Sequence, residues 1–309
     1  MSTNNASNVQ HFDCLVVGAG PAGLLAATYL TRFRRRVLVA DCGHGRALKI
    51  PRINNCPGFP DGISGHELVS RLRVQAALYG TQFIDSPVER IEQEGNGFRV
   101  QCGSLTVMSP RVLIATGAID RKPDLPEMKR NLERRTLCFC PVCDGYEATG
   151  KNIGVLGVSD HALKEAIFLK TFSTRVSLLA IKPDGIDERI RTEATHAGVF
   201  VCDTIDEIVS GTKGYEARLA EGSTISFDVI YPALGCKVRS DLVGDLDVHC
   251  DQDGHICVTA HQQTNIKGLY AAGDVVHSLN QIAVAFGQAA TAATAIHNSL
   301  PAPDGKTTG

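Results

Sequence analysis

Short apolar runs that end in glycine alternate along this chain with longer stretches of helix-forming residues. Asp13 to Val17 is one such run, Leu24 to Phe33 follows with a helical composition, and Arg36 to Ala40 opens a second run, which predicts a strand–helix–strand unit. The same grammar returns at Val112 to Gly117, a buried strand closing in a tight turn, and at Lys151 to Leu156 and Arg175 to Leu179. Near the end, Gln281 to Asn298 reads as an alanine-rich helix carrying Gly287. No solenoid repeat is visible, but two dinucleotide-type units are. The pattern predicts an α/β protein.

Between the first strand and helix lies Gly18-Ala19-Gly20-Pro21-Ala22-Gly23. Gly18 permits a tight turn, Gly20 lets a pyrophosphate approach the backbone, and Gly23 allows helix and strand to pack closely. Asp41, at the end of the second strand, stands at the spacing where a carboxylate binds ribose hydroxyls. Strand, glycines, helix, strand and terminal acid together predict a dinucleotide site, with FAD and NAD both open at this point. A glycine-rich turn without a ligand is the bland alternative.

Composition narrows the class without naming a chemistry. The 309 residues suggest about two domains, and 43% hydrophobic with 21% charged residues is ordinary for a folded protein. A formal charge of −2 gives no general footprint for nucleic acid or an anionic membrane. No run approaches the roughly 20 apolar residues that span a bilayer, and Met1 to Gln10 lacks a secretory pattern, so a cytoplasmic protein is expected. Of eleven cysteines, Cys14, Cys42, Cys56, Cys102, Cys202, Cys236, Cys250 and Cys257 lie singly and read mostly as reduced, small hydrophobes.

The exception is Cys140-Pro141-Val142-Cys143-Asp144. Two thiols at this spacing can close a small disulfide ring, and the following acid can exchange the proton that thiol chemistry requires. With Cys138 the segment offers three thiols, so zinc is the rival reading, but no second Cys-x-x-Cys pair accompanies it. Cys138 is expected to be a buried strand residue.

The fingerprint, Ala115-Thr116-Gly117, the Cys-x-x-Cys-Asp and Ala272-Gly273-Asp274, in this order and spacing, resemble the low-molecular-weight thioredoxin reductases and their flavoprotein relatives over nearly the whole chain. The resemblance implies two Rossmann-like domains of the three-layer ββα type, the second inserted into the first. An FAD domain would comprise residues 1–120 and 234–309, and a pyridine-nucleotide-like domain bearing the dithiol residues 121–233. Proline and glycine at Pro123 to Pro126 and Pro232 to Gly235 suit the crossings. The resemblance further implies FAD contacts from Asn55, Gly273, Asp274, Gln281 and Ile282, with Asn280 beside them. It makes Cys143 the thiol facing the flavin, Cys140 the thiol attacking the substrate disulfide, and Asp144 the general acid/base. It also implies a homodimer, a rotation of the inserted domain between flavin and substrate, and a thioredoxin-like protein or a small-molecule disulfide or dithiol as partner.

The second nucleotide turn departs from that family. Gly157-Val158-Ser159-Asp160-His161-Ala162 has serine where the middle glycine belongs, and a side chain there narrows the space for a pyrophosphate. The next strand runs into Ala180-Ile181-Lys182 where NADPH-dependent members carry a His-Arg-Arg-like clamp, and one lysine lacks arginine's bidentate geometry. Weakened or absent NADPH use is the expectation. Relatives without this motif take electrons from a ferredoxin-type donor protein, hold a second FAD in the vacated site, or run in reverse as dithiol oxidases that reduce oxygen. Asp144 favours a reductase, Cys-x-x-Cys-x-Gly-Tyr146 also suits an oxidase, and a flavin redox sensor stays open. Elsewhere, Arg32, Arg34, Arg35 and Arg36 read as a solvated helix end, His161 as exposed at a helix start, and the tail after Leu300 as disordered.

Overall fold

The structure, a computed structural model, describes residues 8–181 and 185–303. Lys182 and the tail beyond Pro303 lie outside the described residues. The chain divides into two compact units, one formed by residues up to Ile119 with those from Lys237 onward, the other running from Asp120 to Cys236.

In the first unit, five parallel strands lie in the order Leu269–Ala271, Val112–Ile114, Cys14–Val17, Val37–Asp41, Gln82–Asp85. Side chains alternate across this sheet. Cys14 and Val16 join a cluster with Leu24 and Leu30 of helix Pro21–Arg32, Leu68 and Leu72 of helix Gly65–Leu78, and Ala289 and Ile296 of helix Ile282–Asn298. Leu15 and Val17 pack the opposite way, against Phe98, Val100 and Val107 of a four-stranded sheet. Both faces are covered, which is why the strand reads as an unbroken apolar run. The result is a helix layer and two sheet layers.

The second unit holds a six-stranded sheet ordered Thr224–Phe227, Tyr215–Leu219, Phe200–Ser210, Val176–Ile181, Ile153–Leu156, Val229–Pro232. Its last four strands are parallel and the others antiparallel. Helices Asp160–Leu169 and Glu188–His196 cover one face through Ala162, Ala166 and Ile190. On the other face Leu156 and Leu179 meet Tyr215, Ala217 and Phe227. A register shift between Ile205 and Glu207 bends the long Phe200–Ser210 strand. Both units therefore have the Rossmann-like α/β architecture expected from the sequence.

Three local expectations need correction. Arg35 is not solvated: it is 6% exposed, and its guanidinium donates to His297 Nδ1 at 3.1 Å, to the His297 carbonyl and to the Pro301 carbonyl at 2.7 Å. That last bond also ties down the start of the tail read as disordered. Cys138 is buried, but it lies beside an isolated bridge between Leu137 and Ile230 rather than inside a strand. Among the described residues, no helix is long and apolar enough to cross a membrane.

Candidate active site

Parallel strands place their C-terminal ends along one edge, and that edge of the first unit gathers most of the expected cofactor residues. Gly18 N–H donates to the Ala40 carbonyl at 2.8 Å, Ala115 N–H to Val17 at 2.8 Å, and Ala272 N–H to Ile114 at 3.0 Å. Gly18 has φ +108°, and a Cβ there would stand 2.4 Å from the Ala115 carbonyl. A Cβ on Gly23 would lie 1.9 Å from the Gly18 carbonyl, so helix and strand touch through backbone alone. Pro21 opens the helix, Ala22 lies 3.0 Å from where a Gly273 Cβ would be, and Thr116 Oγ1 donates to the Arg239 carbonyl beside Gly117. Asp41 accepts from Ala19 N–H at 2.9 Å and Gly43 N–H at 2.8 Å, pinning the glycine turn to the second strand.

Two observations fit this edge to a flavin dinucleotide. Nothing lies within 4 Å of where a Cβ on Gly20 would stand, so the backbone there is open to a close ligand. Near the start of helix Ile282–Asn298, Asn280 Oδ1 is buried without a hydrogen-bond partner. Beside it Gln281 Oε1 accepts from Asn55 Nδ2 at 2.9 Å, joining two residues 226 apart in sequence. Sequence reasoning missed the partners that fix this edge. Arg46 Nη1 pairs with Asp274 Oδ2 at 2.8 Å, and Gln288 Oε1 accepts Gly273 N–H at 2.7 Å.

The dithiol belongs to the second unit. Cys140 and Cys143 form a disulfide, and Cys140 caps the short helix Pro141–Asp144 with its Sγ accepting Cys143 N–H at 3.1 Å. A donor aimed at this sulfur favours its thiolate once the bond is reduced. Asp144 follows in a half-buried pocket, where Arg135 Nη2 reaches its Oδ1 at 3.0 Å and Glu147 at 3.6 Å. Cys138 Sγ donates to the Arg135 carbonyl at 3.8 Å, and burial followed by the charge of Asp144 pushes its thiol up to about 12. Cys138 therefore stays protonated and belongs to the surroundings of the acid. The Tyr231 hydroxyl is buried without a hydrogen-bond partner, and burial above all raises its pKa.

Burial raises the Asp144 pKa above the ordinary carboxylate range, opposed by Arg135 and reinforced by the charge of Glu147. Such a carboxyl can hold a proton closer to neutrality than free aspartate does. Arg135 was not legible from the sequence, because it meets Asp144 only through the turn in which it adopts φ +59°. A test follows from the sign of the shift. A carboxyl whose folded pKa is raised subtracts stability as pH rises from its unfolded pKa through its folded one. Arg135→Leu removes the opposing cation, so we expect a loss of about 1–3 kcal/mol that is larger at pH 8 than at pH 5. Adding Asp144→Asn should remove the pH-dependent part, read by denaturant unfolding at the two pH values.

The second unit's glycine turn is built differently from the first. Gly157 remains close-packed, with a Cβ position 3.0 Å from the Ala233 carbonyl. Ser159 is the N-cap of helix Asp160–Leu169, and its Oγ accepts Ala162 N–H at 3.3 Å. That donor is no longer available to a phosphate. Asp160 adds a carboxylate to the first turn, held by Arg189, and His161 is exposed and paired with Glu165 at 3.1 Å.

Comparison with known proteins agrees with this arrangement. Residues 12–289 match the family model described as pyridine nucleotide-disulphide oxidoreductase. A thioredoxin reductase of Streptomyces coelicolor is 31% identical over 295 residues, spanning 90% of this chain and 91% of the relative. Among solved structures, the thioredoxin reductase from Streptococcus pyogenes superposes with a TM-score of 0.84 at 27% identity, covering 95% of this chain and 98% of that one. HlmI does so with a TM-score of 0.85 at 28% identity, covering 93% and 92%.

Proposed function

Because this chain belongs to the pyridine nucleotide-disulphide oxidoreductases and is a thioredoxin reductase-like FAD disulfide oxidoreductase, we propose that it moves electron pairs between flavin and the Cys140–Cys143 couple without using NADPH as an ordinary donor. The observation that carries the dithiol reading is the oxidised pair itself, flanked by a half-buried Asp144 with a raised pKa.

In this reading Gly18, Gly20, Pro21, Ala22 and Gly23 receive the pyrophosphate, Asp41 the ribose, and Asn55, Ala115, Thr116, Gly117, Gly273, Asp274, Gln281 and Ile282 the remainder of FAD. FAD, when bound, supplies a carrier that exchanges two electrons with the disulfide. Reduction of Cys140–Cys143 takes two electrons and two protons, and Asp144 gives and takes the proton at Cys143. Cys140, with Cys143 N–H at its sulfur, acts as the thiolate that attacks a substrate disulfide. A mixed disulfide forms there, Cys143 then attacks Cys140, and the substrate leaves as a dithiol.

Ser159 and Asp160 support the exclusion of NADPH, since the one uses a helix N–H internally and the other, paired with Arg189, places a carboxylate at the same helix start. Electrons would then come from a ferredoxin-type protein, from a second flavin on this unit, or from a dithiol substrate. The partner is a thioredoxin-like protein, and the working form is the homodimer typical of this family.

The same Ser159 and Asp160 turn favours a second reading, a dithiol oxidase that passes electrons to oxygen. Two assays separate them. A reductase, reduced with dithionite under anaerobic conditions, should transfer its electrons to oxidised thioredoxin, with thioredoxin thiols appearing as the flavin reoxidises. An oxidase should instead consume oxygen catalytically when given only dithiothreitol, and leave thioredoxin oxidised. Neither activity from flavin-loaded protein would refute the proposed enzyme function and leave the sensor.

A further inference from the structure

A hairpin of the first unit brings together three metal-ligating side chains that the flavin and dithiol reading does not use. Cys250 and Ile256 pair antiparallel, and Asp251 N–H donates to the His255 carbonyl at 2.9 Å across a turn closed by Gly254 at φ +86°. Asp251 Oδ1 is taken by the turn, accepting Asp253 N–H and His255 N–H, both at 2.9 Å. Its Oδ2 is left facing two imidazoles, His277 Nδ1 at 2.8 Å and His255 Nδ1 at 3.2 Å. Burial raises the Asp251 pKa, but the His255 amide and then the His277 ring outweigh it, so the carboxyl stays below its ordinary value and ionised.

His277 comes from a different segment, which is held in place. Ile256 N–H donates to the Val275 carbonyl at 2.9 Å, and Ile256 pairs parallel with Val276. One ligand atom from each of Asp251, His255 and His277 lies within 4.8 Å of the others. Zinc–nitrogen and zinc–oxygen bonds of about 2.0–2.2 Å set tetrahedral ligand edges of about 3.3 Å, close to the two Asp251-to-histidine spacings of 2.8 and 3.2 Å. Of the three side chains His255 is the most covered, at 13% exposure, and His277 the least, at 75%, which leaves the solvent side for a fourth ligand.

We propose that Asp251, His255 and His277 bind a divalent transition ion of the zinc type, with water completing the coordination. The ion would lie between two nitrogen donors and one carboxylate oxygen, a donor set of borderline softness that suits Zn²⁺ and not Mg²⁺ or Ca²⁺. Because His277 stands three residues beyond Asp274, an ion here would clamp the hairpin to the segment that carries a proposed flavin contact.

The test uses tag-free, flavin-loaded full-length protein, stripped with a chelator and titrated calorimetrically with zinc chloride. We expect one ion per chain, with affinity falling more than about 10-fold in His277→Ala and in Asp251→Asn, since even outer-shell partners are worth that much. His277 is exposed, so its removal should leave the fold intact, and Asn at 251 can still accept the turn's two N–H groups. Cobalt in place of zinc should give visible bands to the red of flavin absorption, lost in the same variants. Cys250→Ser/Cys257→Ser should retain binding. Failure to take up zinc, equal affinity in both ligand variants, or loss of binding in the cysteine variant would overturn the proposal.

Discussion

Cys143→Ser should lower disulfide-exchange kcat/KM by at least about 1,000-fold, the scale of losing a covalent participant, while FAD remains bound at one per chain. Serine cannot form the S–S bond with Cys140 or act as a sulfur nucleophile. Cys140 can still attack a substrate disulfide, but nothing then resolves the product. The variant should therefore accumulate a mixed disulfide at Cys140, visible as a mass increase equal to one whole substrate molecule, since an internal disulfide opens without releasing either half, and removed by reductant. Cys138 cannot substitute for the missing thiol, because burial first and the Asp144 charge second push it up to about 12 and leave little thiolate at neutral pH. Retained FAD is expected because the glycine turn and Asp274 lie in the first unit and the dithiol in the second. Full turnover in this variant would refute the relay.

The second large effect contrasts two glycines three residues apart. A methyl group on Gly23 would sit 1.9 Å from the Gly18 carbonyl and 3.2 Å from Val16 Cγ1, so helix Pro21–Arg32 must move off the sheet. We expect Gly23→Ala to cost the flavin-free protein about 3 kcal/mol or more, an overpacking penalty against backbone that cannot yield. Gly20 has no neighbour within 4 Å of the same position and takes a φ of −77° that alanine tolerates. Gly20→Ala should then leave flavin-free stability within about 1 kcal/mol, since alanine replaces glycine at an N-cap that has no side-chain bond. Its effect should fall on FAD affinity, lowered about 10-fold or more by the lost approach of pyrophosphate to backbone. Denaturant unfolding of the apoproteins and FAD titration read the two effects separately. Unchanged FAD affinity in Gly20→Ala would move the pyrophosphate elsewhere.

What could be read in advance follows contact range. The tight turn at Gly18 and the close packing at Gly23 are legible because a strand end and a helix start within six residues dictate them, and the Cys140–Cys143 disulfide because its spacing alone closes the ring. Arg46 was invisible because its partner Asp274 is 228 residues away, and no local pattern anticipates that pairing. Arg35 was misread for the same reason. Its neighbours in sequence are charged and suggest solvent, whereas its guanidinium is satisfied by His297 and Pro301, more than 260 positions downstream. Cys138 was seen as buried, yet its link to Asp144 depends on how the loop after Arg135 folds back. In the metal-like cluster, Asp251 and His255 are neighbours across a turn, but His277 is 26 residues from Asp251 and arrives only through the Ile256–Val276 pairing.

The most direct test of the central claim is an anaerobic visible spectrum of the flavin-loaded protein, titrated in parallel with NADPH and with dithiothreitol. The proposed electron transfer through Cys140 and Cys143, with nicotinamide use proposed to be blocked at Ser159 and Asp160, predicts that the dithiol bleaches the flavin band and NADPH leaves it unchanged. Rapid, stoichiometric bleaching by NADPH would contradict the account and make the chain an ordinary nicotinamide-dependent reductase.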